Sequence, residues 1–275
     1  MLPLFGLATE WGFMVTVAER MPTMKSPADG ETKAAVQIRD LRKAFGTQTV
    51  LAGINLDLAY GKTLTIMGQS GTGKSVLLKL IIGLQKPDSG AIQIGDSEIT
   101  QLSVSELNKV RMKIGFLFQY AALYDSLTVE ENVSFPLRRH TEMSKSERHD
   151  RVHSLLSRVG MQEASRKMPA EISGGMKKRV GLARALAMDP ELMLMDEPTA
   201  GLDPIKAGEI NSLIRELQQE RHMTAIVVTH EMQTVKAVSD SIAMLHEGHI
   251  LTQGSFEQLR KSQDPFMSAF MREAC

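Results

Sequence analysis

The densest chemistry in the chain lies in Gly68-Gln69-Ser70-Gly71-Thr72-Gly73-Lys74-Ser75, which fits the pattern GxxxxGK[ST]. Glycines at these positions let backbone N–H groups turn inward around phosphate oxygens, where side chains would block the approach. Lys74 adds a point charge for terminal phosphates, and the Ser75 hydroxyl is a hard ligand for Mg²⁺. A second constellation is Leu192-Met193-Leu194-Met195-Asp196-Glu197, an apolar run ending in two acids. Asp196 could hold the same cation through water, and Glu197 could orient and polarise a water that attacks a γ-phosphate. A third is Ile172-Ser173-Gly174-Gly175-Met176, a serine-glycine helix start followed by Lys177, Lys178 and Arg179. Those cations sit where the helix dipole is already positive, so the spacing predicts an external anion at this end, a γ-phosphate bound by another subunit.

Such groups need a frame that brings them together. Alternation at Val36 to Arg39 and Ile54 to Leu58 predicts an antiparallel opening, followed by a strand at Leu64 to Met67, the glycine loop, and a buried helix over Val76 to Ile82. Apolar strand patterns recur at Ile114 to Phe118, Leu192 to Met195 and Ala225 to Val228, with helical spacing over Ser144 to Val159 and Lys206 to Gln219. Strands alternating with helices predict a largely parallel sheet covered on both faces, with Asp196 and Glu197 at its carboxyl edge. From about Tyr120 to Ala187 no strand pattern occurs, which predicts a helical insertion.

Composition narrows the function classes. The 275 residues are 43% hydrophobic and 23% charged, with 32 basic and 32 acidic side chains, so no long-range basic field favours nucleic acid. The single cysteine, Cys275, supports neither a disulfide nor a thiolate cluster, which fits a reducing cytosolic setting. Neither Met1 to Thr9 nor Trp11 to Ala18 is long enough to span a bilayer. Residues 1–34 read as a flexible appendage, with packing of Trp11 to Val17 on a membrane or partner as the sharper option. Residues 255–275 read as a tail with a short helix at Phe256 to Arg260 and an apolar-spaced end.

From about Val36 to Gly254 the chain resembles the nucleotide-binding subunits of ABC transporters. The resemblance implies an α/β P-loop NTPase fold: a mostly parallel RecA-like core, an antiparallel β subdomain and a helical insertion, spanning residues 35–254. It implies ATP and Mg²⁺ as ligands, with Gly68 to Ser75 as the Walker A motif and Asp196-Glu197 as Walker B. Gly68, Gln69, Ser70, Gly71, Thr72, Gly73, Lys74, Ser75 and Val76 would then line ATP, and Phe45 would stack on adenine. Gln119 is similar to the glutamine that senses Mg²⁺ and the transmembrane partner, and with Ser75 and Asp196 completes the metal set. His230 resembles the switch histidine at the γ-phosphate, so that Glu197, His230 and Gln119 form the catalytic group. Ser173, Gly174 and Gly175 match the signature sequence and Asp203 the inter-subunit aspartate, which together would complete the ATP of a partner subunit. Met176 stands where most members have glutamine, and Phe45 where tyrosine is commoner; neither removes the phosphate-binding amides or the π-face.

The same resemblance implies a head-to-tail dimer of the chain with a second copy. It also implies an ATP-driven cycle acting on transmembrane permease subunits that dock near Gln119 to Phe135, at the cytoplasmic face of the inner membrane. Ala121 to Leu137, the Gly73 to Lys79 stretch and Met176 resemble the ATPases of Mla/Mce-type lipid transporters, which implies phospholipid or related cargo and lipid-binding and regulatory subunits. Another importer, an exporter or a cell-envelope regulator would use the same residues. A DNA-repair ATPase is disfavoured because Gln119 to Ser173 has no sustained heptads and no basic patch beyond Arg138-Arg139-His140.

Overall fold

The computed structural model describes residues 34–274, so the appendage expected over residues 1–34, apart from Ala34, and Cys275 lie outside the described residues. β1 (Ala34–Phe45) and β2 (Gln48–Ala59) form an antiparallel hairpin. Along β1 the buried side chains change phase from Val36 and Ile38 to Leu41, because the register shifts at Asp40, whose φ is +41°. β3 (Thr63–Met67) follows, buried at every position, and runs through the loop into α1 (Lys74–Ile81). β4 (Ser89–Ile94) and β5 (Ser97–Glu98) complete a four-stranded sheet of order β2-β1-β4-β5.

α2 (Val104–Arg111) leads to β6 (Ile114–Leu117), and then the chain is helical: α3 (Val129–His140), α4 (Lys145–Arg158) and α5 (Gly174–Ala185). Thr128 with Glu131 and Ser144 with Glu147 form capping boxes that start α3 and α4. β7 (Leu192–Asp196), α6 (Pro204–Arg221), β8 (Thr224–Thr229), α7 (Met232–Val238), β9 (Ser241–His246) and β10 (His249–Gly254) return to the core. The second sheet has the order β10-β9-β3-β8-β7-β6, parallel except for the β9–β10 pair. α8 (Phe256–Arg260) and α9 (Pro265–Ala274) close the chain, placing Leu259 and Met267 against Met67 and Met244.

The period of two in a strand explains how one short segment serves two cores. On β7, Met193 and Met195 face the cluster built with α3, α4, α5 and α6, whereas Leu192 and Leu194 face the one shared with α1 and the antiparallel sheet. Sequence pattern alone predicts neither β4 nor β9. β4 begins Ser89-Gly90, and β9 reads Ser-Ile-Ala-Met-Leu-His, whose alanine and methionine are weak strand formers; parallel pairing with β3 fixes it instead.

Candidate active site

The carboxyl ends of the neighbouring strands β3, β8 and β7 carry Gly68, His230 and Asp196-Glu197, so the parallel order itself sets these groups side by side. Gly73 precedes α1 with φ +100°, and a Cβ there would lie 2.7 Å from Val50 Cγ1. Gly68 packs against the β9 backbone, where a Cβ would stand 2.5 Å from the Leu245 carbonyl oxygen. The Thr72 hydroxyl donates to the Gln69 carbonyl at 2.9 Å and pins the turn. Lys74 is buried, and its Nζ donates to the carbonyls of Gly68 at 2.8 Å and Gln69 at 2.9 Å. Burial holds its pKa below the usual lysine range, against the opposing pull of Glu197 and Asp196.

Across from the loop, Ser75 Oγ donates to Asp196 Oδ1 at 2.9 Å. Burial raises the Asp196 pKa, and the Ser75 hydrogen bond acts in the opposite direction. A hydroxyl and a carboxylate placed together are the hard oxygen donors that Mg²⁺ takes alongside water and phosphate, so the residues present fit that ion. Glu197 has φ +47°, a left-handed backbone that a non-glycine residue adopts at a cost of about 1–2 kcal/mol. Several contacts hold it there. Its N–H donates to Val228 O at 2.9 Å, Thr229 Oγ1 donates to Oε2 at 3.0 Å, and His230 Nδ1 lies 2.9 Å from Oε1. Glu197 is 7% exposed, while half of the His230 side chain is open to solvent. The carboxylate is thus aimed by its neighbours and reachable beside the imidazole.

Lys74, Ser75, Asp196, Glu197 and His230 are therefore brought together, and Gln119 joins them through its backbone at the end of β6: Lys178 Nζ donates both to Gln119 O and, at 2.8 Å, to Glu197 O. This corrects the expectation that Lys177, Lys178 and Arg179 all await an outside anion. Lys178 points inward and is 5% exposed, with burial pulling its pKa down to about 8. Arg179 is engaged by Glu209 at 2.7 Å and by Val159 O. The exposed corner keeps Ser173, which caps α5 by accepting from Met176 N at 3.3 Å, together with Gly174 and, half-buried behind them, Lys177. Beside it, Asp203 caps α6 and pairs with Lys206 at 2.8 Å, which lowers its pKa; a Cβ on Gly175 would meet Lys206 Cδ at 3.5 Å. Among the described residues no hydrogen bond or ion pair joins this corner to the Lys74 group. Phe45, at the tip of the β1–β2 hairpin, is 46% exposed, with Lys43 Nζ 5.4 Å from its ring centroid.

The family model described as "ABC transporter" matches residues 51–200, from β2 through the loop after Glu197. The chain belongs to the ABC transporter family. It is 40% identical over 237 residues to the probable ribonucleotide transport ATP-binding protein Mkl of Mycobacterium leprae, covering 86% of this chain and 68% of that protein. It is 38% identical to the intermembrane phospholipid transport system ATP-binding protein MlaF of Haemophilus influenzae, covering 86% of this chain and 90% of that one. Among solved structures it matches a dimeric ATP-binding cassette in a post-hydrolysis state bound to ADP and Pi, with TM-score 0.75 and 34% identity, over 80% of this chain and 98% of that chain. The α/β P-loop fold with its mostly parallel core is the fold of these cassettes.

Within this ABC ATPase chain, residues that sequence spacing did not single out complete the arrangement. Thr229, directly before His230, grips Glu197, and an apolar strand ending in a hydroxyl is the only trace of it in the sequence. Arg184 donates to the carbonyls of Ala121 at 2.7 Å and Ala122 at 2.8 Å, whose φ angles are +59° and +48°. Asn132, fully buried, accepts from Tyr124 N–H and donates to the carbonyls of Tyr124, Leu127 and Thr128. The loop after Gln119 is thus built to a definite shape. Next to it opens a groove of about 800 Å³ lined by Phe116, Phe118, Tyr124, Phe135, His140 and Arg184.

Proposed function

We propose that the chain is the ATP-hydrolysing motor subunit of an ABC transporter. The observation that carries this reading is the Glu197 carboxylate, held by Thr229 and His230 one residue beyond an aspartate hydrogen-bonded to the phosphate-loop serine. In it, the amides of Gly68 to Ser75 and the Lys74 ammonium bind the phosphates, and Lys74 exchanges its loop carbonyls for phosphate oxygens. Phe45 stacks on adenine. Glu197 takes a proton from the attacking water, and His230 steadies the carboxylate and faces the terminal phosphate. Ser75, Asp196 and the Gln119 side chain would hold Mg²⁺, which supplies charge neutralisation on the phosphates when bound.

The exposed Ser173 and Asp203 corner supports a head-to-tail dimer, because its glycine-flanked helix end can meet a nucleotide only on a second copy. The dimeric cassette to which the chain is similar supports the same arrangement. The groove lined by Phe118 and Ala122, which bracket Gln119 and the 85% exposed Tyr120 in sequence, suits a helix of a permease subunit, which would hold the chain at the cytoplasmic face of the inner membrane. For cargo we propose phospholipid, supported by the match along 90% of MlaF. The similarity to Mkl, named for ribonucleotide transport, favours a second reading in which the same motor serves another solute.

Two measurements test these readings. Glu197→Gln should lose Mg²⁺-dependent ATP hydrolysis by at least about 100-fold while still binding ATP and accumulating as a dimer; parental turnover would remove Glu197 from the chemistry. Identification of the lipid that copurifies with the chain and its natural membrane partners tests the cargo, and a lipid-free complex stimulated by a soluble solute would overturn it.

A further inference from the structure

Among the described residues the buried lysines are Lys74 and Lys178, and both donate to backbone carbonyls; Lys74 stays within its own loop, whereas Lys178 reaches two segments distant from it in the chain. An ammonium removed from water persists only where its protons are taken up, and here they are taken up by Gln119 O and Glu197 O. These carbonyls belong to the two segments that matter most: the loop beside the partner groove, and the residue aimed at the attacking water. The second contact falls on a strained peptide. Glu197 is left-handed at φ +47°, with its N–H held by Val228 O and its C=O held by Lys178. A change in the Glu197 backbone angles would turn its Cα–Cβ bond and swing the carboxylate away from Thr229 and His230.

The first contact has company. On the same helix, α5, Arg184 holds the carbonyls of Ala121 and Ala122, both left-handed as well. α5 therefore grips the Gln119 loop at three carbonyls, and through Lys178 the grip extends to Glu197. We propose that Lys178 is a positioning residue that couples the seating of the Gln119 loop to the reactive orientation of Glu197, an inference that rests on the hydrolytic reading above. A displacement of the loop by a docked helix then reaches the carboxylate through a single side chain.

The test compares Lys178→Met, which keeps the volume and removes every donor, with Lys178→Arg, which keeps donors and charge. Steady-state hydrolysis is measured on the full chain across Mg²⁺-ATP concentrations. The expected result is a kcat at least tenfold lower for Lys178→Met, with KM for ATP within threefold because Lys178 touches no phosphate-loop group. Lys178→Arg should recover kcat to within about threefold of the parent. A kcat for Lys178→Met within twofold of the parent overturns the proposal. So does a loss of kcat and of ATP affinity together that arginine fails to rescue, which marks a merely structural role. Should Lys178→Met not fold, Lys178→Gln replaces it, whose shorter uncharged amide falls short of the two carbonyls: reduced kcat at unchanged KM supports the coupling, and kcat within twofold of the parent overturns it. Glu197→Gln serves as the reference. If it hydrolyses ATP normally, the hydrolytic reading itself fails; if it is inactive while Lys178→Met is not, only the coupling fails.

Discussion

Thr229→Val isolates the aim of the Glu197 carboxylate, the proposed base, from its presence. Thr229 is completely buried, and its hydroxyl donates to Glu197 Oε2 at 3.0 Å while accepting from Glu231 N–H at 3.0 Å. Valine preserves the shape and deletes both contacts. A hydrogen bond to a charged acceptor contributes about 1.5–3 kcal/mol, and the neutral bond to Glu231 about 0.5–1.5 kcal/mol. If the first loss is expressed in the transition state, where Glu197 must point at the water, kcat falls by about 10- to 150-fold at 1.36 kcal/mol per decade. The second loss falls on folding stability and lowers the unfolding midpoint in kcat-independent fashion. Phosphate release measured across ATP concentrations should show the fall in kcat with KM nearly unchanged, since Thr229 bonds no group of the phosphate loop. Thr229→Ser, which keeps the hydroxyl, should return kcat to within about threefold. A folded Thr229→Val protein that hydrolyses ATP at the parental rate would refute the reasoning, as would a deficit that serine leaves uncorrected.

Gly73→Ala should destabilise the fold by about 2–5 kcal/mol, combining the cost of a left-handed alanine with a Cβ contact of 2.7 Å to Val50, and denaturant unfolding that leaves the midpoint in place would contradict this. His230→Ala should lower kcat at least about tenfold through loss of the 2.9 Å contact with Glu197, with little change in stability because the imidazole is half exposed. Normal hydrolysis by that variant would take His230 out of the site.

What could be seen in the sequence was what depends on neighbours along the chain. The Gly68 to Ser75 loop is legible because its chemistry follows from contiguous residue types, and the strands at Leu192, Ala225 and Ile114 because apolar runs have few alternatives in a parallel sheet. The destination of a long side chain is different. Lys178 lies near the start of α5, where helix electrostatics predicts a search for an outside anion, yet its flexible stem turns back to carbonyls contributed by residues 59 and 19 positions away in sequence. Thr229 carries no motif, and its role arises only because β7 and β8 are paired in register, Asp196 opposite Val228. β9 was hidden because its identity comes from its partner strand rather than from its own composition.

The position of β3 in its sheet bears on how the chain is made. Residues 63–67 are flanked by β8 at 224–229 and β9 at 241–246, so the strand that launches the phosphate loop has no sheet neighbour until more than 150 further residues have been made. Throughout that interval a strand destined for complete burial has open edges, a species prone to stick to other chains and a natural client for chaperones. Ser75 likewise can meet Asp196 only after another 121 residues have been made. A chain made only as far as residue 195 therefore lacks the assembled means of consuming the cell's energy currency.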